Sequence, residues 1–267
     1  MTGAVRSLLN RAARRVGTDR TARAGGNGPY FFDDVRPEDT YLVSFPRSGN
    51  TYLRHLVAAL ALGRAPTPAE VQQLVPDVHR AASTRRPSQL SPLVAKSHSP
   101  PAVVPANVVY LVRDGRAALL SYHRYLGERG HPTPPGVDDM LVWAGVWPCP
   151  WRAHVSGWLH HLEDRGRAVV IRYEDLVEDP VAALRRVAQL AGLSFGDDRL
   201  ERAVKDSSRA SMRAAEATAS HGSLNFVGTG TASWREAFGP TALCRFEEEC
   251  ADVLVRLGYP LVGPGCA

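Results

Sequence analysis

The stretch from Tyr41 to Leu60, YLVSFPRSGNTYLRHLVAAL, limits the choice of fold more than any other part of the chain. An apolar run passes through a Pro, Ser and Gly turn into an amphipathic segment. This order predicts a strand over roughly residues 40–45 and a helix over roughly residues 50–62. A turn of this kind exposes main-chain N–H groups at the start of the helix, where an anion can bind. The sequence therefore predicts an α/β fold with a phosphate-binding loop.

The loop lacks one part of the nucleotide-binding pattern G-x-x-x-x-G-K-[ST]. When the second glycine is aligned with Gly49, Ser44 takes the place of the first glycine. Asn50 then replaces the lysine, and Thr51 keeps the hydroxyl. A different cation, Arg47, lies two residues before the glycine. We infer a loop that binds one phosphate and its bridging oxygen, rather than a triphosphate with Mg²⁺.

The rest of the chain alternates between strand and helix patterns. Strands are predicted at residues 93–97, 107–114 and 167–176, and the last two are apolar without alternation, which is typical of strands buried on both faces. Helices are predicted from residue 115 and from residue 151, with a loop or lid over 128–150 rich in Gly and Pro. A further helix begins with Asp179 as N-cap and Pro180 at its first position. This alternation predicts β-α-β units around a mainly parallel sheet.

Polar side chains follow three of the predicted strands where each strand ends. Arg47, Ser48 and Gly49 follow the first strand, His98 follows the second, and Arg113 follows the third. In parallel sheets, ligands bind beyond the carboxyl ends of the strands. The sequence therefore predicts one ligand site at this edge of the sheet.

Four segments together resemble the cytosolic-type sulfotransferases, in the family's order and over roughly residues 38–260. FPRSGNTYL resembles that family's 5′-phosphosulfate loop, and AKSHSPPAVVP the segment with its catalytic base. VVYLVRDGRAALLSYHRY is similar to its 3′-phosphate motif, with Arg113 and Ser121 eight residues apart, and VIRYEDL to a segment whose tyrosine lies near the nucleotide. The resemblance implies a three-layer α/β fold like that of the P-loop NTPases. It also implies sulfuryl transfer from 3′-phosphoadenosine 5′-phosphosulfate (PAPS) to an acceptor hydroxyl or amine, without a metal.

Three residues are candidates for catalysis. His98 suits a general base because its pKa is ordinarily near neutral; with nine histidines in the chain, a packed or surface residue is the alternative. Arg47 would stabilise charge on the bridging oxygen, although the family usually has lysine there. Lys96, one of only two lysines, would stabilise the transition state, and the alternative is a surface lysine.

The resemblance implies further nucleotide contacts. Tyr52 would stack on adenine or simply pack its helix, and Arg113 would bind the 3′-phosphate or form a structural pair with Asp114. The family's C-terminal Arg-Lys-Gly run is absent, so a weaker grip on the 3′-phosphate or a compensating arginine is expected. Arg209 replaces a second stacking aromatic. The expected nucleotide-binding residues are Arg47, Ser48, Gly49, Asn50, Thr51, Tyr52, Arg113, Ser121, Tyr173, Ser207, Gly228, Thr229 and Gly230.

The acceptor is predicted to be a small molecule, and the tryptophans that cluster in one segment would suit an apolar or aromatic one. Trp151 and Trp158 are seven residues apart, which favours the core. Trp143 and Trp147 are left open between core and acceptor pocket. The histidines of this segment are predicted to form a solvated helix face rather than a metal site; they are His154, His160 and His161.

Charge and composition add a few expectations. Residues 1–30 carry six arginines against one aspartate, and the rest of the chain is balanced. We expect a flexible leader, or alternatively a basic helix that docks on an acidic partner or membrane, followed by one domain over 31–267. The absence of a long apolar run or signal sequence predicts a cytoplasmic protein without a transmembrane segment, and we expect no nucleic-acid partner. The excess of arginine over lysine suggests codon bias in a GC-rich bacterium. An acceptor from bacterial secondary metabolism, a phenol, a sugar and a lipid headgroup are all left open.

The cysteines and the rival functions complete these expectations. Cys149, Cys244, Cys250 and Cys266 show no C-x-x-C pairing, which predicts reduced thiols. A P-loop kinase and a non-catalytic phosphoadenosine-binding module are the alternatives to a sulfotransferase. The oligomeric state cannot be read from the sequence.

Overall fold

The computed structural model describes residues 30–81, 83, 85–86, 92–163, 165–217 and 233–262. The strands are β1 Thr40–Ser44, β2 Val94–Ser97, β3 Asn107–Val112 and β4 Ala168–Arg172. The helices of the N-terminal half are α1 Asn50–Leu62, α2 Pro68–Leu74 and α3 Gly115–Glu128, with 3₁₀ turns at Val78–Arg80 and Asp138–Leu141. The remaining helices are α4 Trp151–Leu162, α5 Tyr173–Glu178, α6 Pro180–Leu190, α7 Asp197–Asp206, α8 Arg209–Ala217, α9 Trp234–Ala237 and α10 Pro240–Arg256.

The four strands form one parallel sheet in the order β2-β1-β3-β4. Alternate residues of the buried strands enter two separate cores, as Tyr41 and Leu42 show. Helices α3, α4 and α10 cover one face, and helices α1, α6 and α7 cover the other. The predicted three-layer α/β architecture is confirmed. No helix among the described residues is long and apolar enough to span a bilayer.

The register of the sheet brings the ends of three strands together. Val43 is level with Ser97 of β2 and with Tyr110 of β3. The chain segments that leave β1, β2 and β3 therefore emerge side by side at the carboxyl edge of the sheet. This is the edge at which the sequence predicted a ligand site.

Two local predictions need correction. The strand predicted over 167–176 ends at Arg172, and α5 begins at Tyr173 with Glu174 and Asp175 in its first turn, where acidic residues stabilise a helix. Helix α2 was not predicted, although Thr67 and Glu70 form a reciprocal capping box at its start. The predicted cap at Asp179 is confirmed, since its side chain accepts the Ala182 N–H.

The cysteines are only partly as expected. Cys149 and Cys250 are free thiols, and burial raises the pKa of each, to about 11 and about 12 respectively. Cys244 is disulfide-bonded, so the prediction of a reduced thiol is wrong there.

Two buried histidines on different helices should make the fold sensitive to acid. Ring nitrogen Nδ1 of His55 lies 3.3 Å from Ser207 Oγ, and Nδ1 of His154 lies 2.9 Å from the Tyr110 hydroxyl. Burial lowers the pKa of His55 from 6.5 to about 4 and that of His154 to about 3. Unfolding therefore takes up protons below pH 6.5, so this stability is complete above that pH and declines as the pH falls towards 4.

We expect the free energy of unfolding in urea to fall by about 2 kcal/mol per buried histidine between pH 7 and pH 5. His55→Gln should reduce the number of protons taken up on unfolding, and hence the slope of the unfolding free energy against pH, by up to one proton. His160→Gln is the matched control, because the His160 side chain is 82% exposed. A pH dependence that is the same in both variants would contradict the assignment.

Candidate active site

The loop after β1 is built around two residues with left-handed backbone conformations. Arg47 has φ 64° and Gly49 has φ 95°. Residues with a Cβ atom rarely adopt a backbone conformation with φ in this positive range. A Cβ atom on Gly49 would also lie 2.3 Å from Cδ2 of Tyr173, the first residue of α5. Asn50 ties the start of α1 to β1, since its Nδ2 donates to Leu42 O and Ser44 Oγ, both at 3.0 Å. Only glycine fits at position 49.

Two polar atoms of this loop are buried without a hydrogen-bond partner among the described residues. They are Ser48 Oγ and Asn50 Oδ1. A buried hydroxyl without a partner is costly, and at a helix N-terminus it can donate to an anion. Thr51 follows and is half-buried, whereas Tyr52 packs against the core beneath α1. The position of Tyr52 agrees with the alternative of a helix-packing aromatic.

Two arginines converge on the loop. Arg47 Nε donates to Ser121 Oγ at 3.2 Å, and its guanidinium lies 4.9 Å from the centre of the Tyr125 ring. Arg113 Nη1 donates to the Arg47 carbonyl at 3.1 Å, and its guanidinium lies 4.6 Å from the centre of the Tyr173 ring. Within the described part of the chain, no carboxylate forms an ion pair with either arginine.

The nearest candidate for such a pair, Asp114, is already occupied. Arg116 binds its carboxylate with two nitrogens, at 2.9 and 2.7 Å, and also pairs with Glu247. The alternative of a structural pair between Arg113 and Asp114 is therefore not realised. Burial lowers the pKa of Arg47, and the nearby guanidinium of Arg113 contributes. This concentration of half-buried positive charge favours an anion.

The Arg116 cluster links the site to the C-terminal part of the chain. Besides its two carboxylate partners, Arg116 Nη2 donates to the Pro260 carbonyl at 2.9 Å. The guanidinium also lies 3.9 Å from the centre of the Trp234 ring. Arg116 is fully buried at the start of α3, and Glu247 lies on α10. The residue after Arg113 is thus held in place by α10 and by the segment that follows it.

His98 follows β2 and is oriented by the main chain. Its Nδ1 lies 2.6 Å from the Ser44 carbonyl oxygen. Because a carbonyl only accepts, Nδ1 carries the ring proton and Nε2 keeps its lone pair. Burial, and then the charge of Lys96, hold the pKa of His98 well below 6.5. The imidazole is therefore neutral at pH 7, which is the state that a general base requires.

Two aromatic residues lie beside His98, and one of them, His79, was not identified from the sequence. The His98 main-chain N–H donates to His79 Nε2 at 2.8 Å, and the two imidazole rings are stacked 5.6 Å apart. The Trp147 ring meets both imidazole rings edge-on. The distance between ring centres is 5.0 Å to His79 and 5.7 Å to His98. His79 lies in a segment without a motif, so no sequence signal indicated it. Trp147, which the sequence left open, lies at the site.

Lys96 has a partner that the sequence did not suggest. Its Nζ lies 2.9 Å from Asp77 Oδ2, and both residues are buried. Burial lowers the pKa of Lys96 to about 8. Burial alone would raise the pKa of Asp77, but Lys96 and Arg54 outweigh it and hold that pKa below its ordinary value. The transition-state role of Lys96 stays a prediction, and in this structure its ammonium group binds Asp77.

A family model described as a sulfotransferase domain matches residues 37–258. The chain belongs to the sulfotransferase-domain family. The resemblance inferred from the four motifs is thereby confirmed.

Curated relatives of this sulfotransferase domain are distant. Sulfotransferase 2B1 of Homo sapiens is 25% identical over 199 residues, covering 68% of this chain and 53% of the relative. The 3-alpha-hydroxysteroid sulfotransferase of Cavia porcellus is 27% identical over 192 residues, covering 65% and 66%. The chain thus spans about half to two thirds of the length of these relatives.

Solved structures share the fold at low identity. Mouse sulfotransferase SULT7A1, complexed with PAP, superposes with a TM-score of 0.65 at 21% identity, covering 83% of this chain and 85% of that one. Retinol dehydratase, in complex with androsterone and inactive cofactor PAP, gives a TM-score of 0.58 at 18% identity, covering 83% and 82%. These similarities confirm the predicted P-loop-like α/β fold.

The remaining predicted residues of the sulfotransferase domain are only partly brought to the site. Ser121 and Tyr173 contact the two arginines, as described above. Ser207 is fully buried and its hydroxyl binds His55, so we do not include it in the nucleotide site. Gly228, Thr229, Gly230 and the Arg209 side chain lie outside the described residues.

The tryptophan segment is mostly structural. Trp151 and Trp158 are buried as predicted, and Trp143 packs partly buried against the same core. The predicted solvated face is wrong for His154, which is fully buried because it faces Tyr110 and Phe45. His160 is exposed as expected. Among the described residues, no cluster of three or more His, Cys, Asp or Glu side chains has the arrangement of a metal site.

Proposed function

We propose that this protein transfers a sulfuryl group from PAPS to a hydroxyl or amine of a small-molecule acceptor. The observation that carries the proposal is the pair of arginines, Arg47 and Arg113, beside the glycine loop with no carboxylate partner among the described residues. Family membership supports it, as do the two structural neighbours whose structures contain PAP. Such a site fits a nucleotide with separated phosphate groups and no Mg²⁺.

The residues of the loop suit the donor nucleotide. The unpartnered Ser48 hydroxyl and the N–H groups around Gly49 would hold the 5′-phosphate, and Asn50 and Thr51 belong to the same helix start. Arg113 and Ser121 would bind the 3′-phosphate. Tyr173, packed against Gly49, would lie near the adenine.

His98 and Arg47 divide the chemistry between acceptor and leaving group. His98 Nε2 takes the proton of the acceptor hydroxyl as the acceptor oxygen bonds to sulfur. The bond from sulfur to the bridging oxygen breaks, and its electron pair stays on the 5′-phosphate. Arg47 stabilises this negative charge but donates no proton, because its guanidinium remains charged. The protein thus acts by positioning and charge stabilisation.

The surroundings of His98 support an acceptor with an apolar portion. The Trp147 ring lies edge-on beside His98 and provides apolar surface at the base. One relative is named for 3-alpha-hydroxysteroids, and structures of retinol dehydratase contain androsterone or retinol. We further propose one catalytic domain over residues 31–267 after a basic leader, acting in the cytoplasm of a bacterium.

The experiment that tests the proposal is calorimetric titration with PAP, with and without Mg²⁺, and with ATP as the control. Metal-independent binding of PAP, clearly tighter than that of ATP, is expected. Preference for ATP with Mg²⁺ would instead favour a P-loop kinase. Release of PAP from PAPS, with water or 2-naphthol as acceptor, then separates an enzyme from a binding module without requiring the natural acceptor.

We expect Arg113→Gln to weaken PAP binding by about 10- to 100-fold, because a charged hydrogen bond to phosphate contributes about 1.5–3 kcal/mol. Arg152→Gln is the matched control, since Arg152 is exposed and pairs with Asp252 on the surface. Calorimetry measures both. Equal affinity of PAP for the two variants would remove Arg113 from the nucleotide site.

A further inference from the structure

The histidine next to the proposed base is placed to control its position. His79 lies in the 3₁₀ turn Val78–Arg80, and its Nε2 accepts the main-chain N–H of His98 at 2.8 Å. The two rings are nearly parallel, with an interplanar angle of 9°. Within the His98 ring, Nδ1 donates to the Ser44 carbonyl. The imidazole plane of His98 is therefore fixed by three separate contacts, counting Trp147.

The turn that carries His79 is itself fastened to β2. Asp77 Oδ1 accepts the His79 main-chain N–H at 3.1 Å, while Asp77 Oδ2 binds Lys96 Nζ. The Lys96 main-chain N–H also donates to the Pro76 carbonyl at 2.8 Å. Lys96 lies two residues before His98 on the same chain segment. These contacts connect Lys96 through Asp77 and His79 to His98, which is on the same chain segment as Lys96.

We propose that His79 is a positioning residue for the catalytic base, holding the His98 main chain and ring through its Nε2 and its stacked face. This inference rests on the proposed function. The role requires a neutral His79, because only a bare Nε2 can accept a hydrogen bond. Burial, with Lys96 nearby, lowers the pKa of His79 to about 3, so the ring is neutral at working pH. A small displacement of a general base costs about 100-fold in rate.

Two substitutions separate the hydrogen bond from the packing. His79→Gln keeps an acceptor near the place of Nε2, whereas His79→Phe keeps a stacked ring and removes the acceptor. Both are assayed by PAP release from PAPS, with water and with 2-naphthol as acceptors, and by PAP titration. We expect His79→Phe to lower kcat by about 10- to 100-fold and His79→Gln by about 5-fold or less, with PAP affinity within about twofold for both.

A residue with a merely structural role would show a different pattern. Loss of PAP affinity or of thermal stability in proportion to the loss of rate would indicate general destabilisation and overturn the proposal. Equal losses for His79→Gln and His79→Phe, or full activity of His79→Phe, would overturn it as well. His160→Phe on the exposed face of α4 controls for the substitution itself.

Histidine ring nitrogens can also be observed directly in the wild-type protein. Long-range ¹H–¹⁵N NMR should show His79 and His98 both carrying the proton on Nδ1, with the signals assigned from the His79→Gln and His98→Gln spectra. A proton on Nε2 of His79 would exclude the hydrogen bond and overturn the proposal. This readout does not depend on activity or on whether His79→Phe folds. Failure of the wild-type protein to bind PAP would instead overturn the proposed function.

Discussion

His98→Ala is expected to reduce sulfuryl transfer by about 10²- to 10⁴-fold, the usual contribution of a general base. The reason is that Nε2 is the basic nitrogen of a ring whose Nδ1 proton is held by Ser44. Donor binding should persist, because the cations of the proposed nucleotide site lie on the segments after β1 and β3 rather than after β2. The measurement is PAP release from PAPS alongside PAP titration of the same variant.

The pair of readouts separates the enzyme from a binding module. Intact PAP affinity with lost turnover identifies His98 as catalytic, and His160→Ala should match the wild-type protein in both assays because His160 is exposed. Unchanged turnover in His98→Ala would mean that another group accepts the proton. The pKa of His98 lies well below 6.5. His98 should therefore stay neutral between pH 6.5 and pH 7.5, and its titration should not change the wild-type rate in that range.

The second large effect is expected for Gly49→Ala. The new methyl group would meet the Tyr173 ring, 2.3 Å from Cδ2, in a backbone with φ 95°. The left-handed conformation alone costs about 1–2 kcal/mol for a residue with a Cβ atom. Relief of the clash must move either the loop or Tyr173, and both belong to the proposed nucleotide site. We expect PAP affinity to fall by about 100-fold or more, because the N–H donors of the loop lose their alignment.

A matched glycine isolates the clash from the backbone strain. Gly192 also has a positive φ, 67°, but an added Cβ would meet nothing within 4 Å. Gly192→Ala should therefore lose stability without losing PAP affinity. Unfolding in urea and calorimetric titration measure the two quantities separately. A similar loss of affinity in both variants would show that general destabilisation, rather than the loop, determines binding.

The fold was predictable because its local signals agree with each other. The strand, turn and helix over residues 40–62 and the cap at Asp179 were correct since apolar pattern and turn chemistry indicate the same elements. Helix α5 was missed because VIRYEDL continues an apolar run, and only Glu174 and Asp175 favour a helix start. Helix α2 was missed because the prolines near its start are typical of a loop, although Thr67 and Glu70 form a capping box there.

The site was less predictable, because spatial partners decide what each polar residue does. The sequence left Arg113 a choice between phosphate and Asp114, and only the fold shows that Arg116 occupies Asp114. Lys96 was noticed for its rarity, yet its partner Asp77 lies in a segment without any motif. His79 was missed for the same reason. Periodicity and spacing report on neighbours along the chain, whereas these contacts join separate elements.

The buried Arg116 cluster connects α10 to Asp114, the residue that follows Arg113. Because one guanidinium joins Asp114 to Glu247 and to the Pro260 carbonyl, detachment of α10 would leave the Glu247 carboxylate without its buried partner and would remove one support of Asp114. If the proposed nucleotide binds beside Arg113, we expect its binding to oppose local unfolding of that helix. Bound PAP is then expected to slow amide hydrogen exchange along α10.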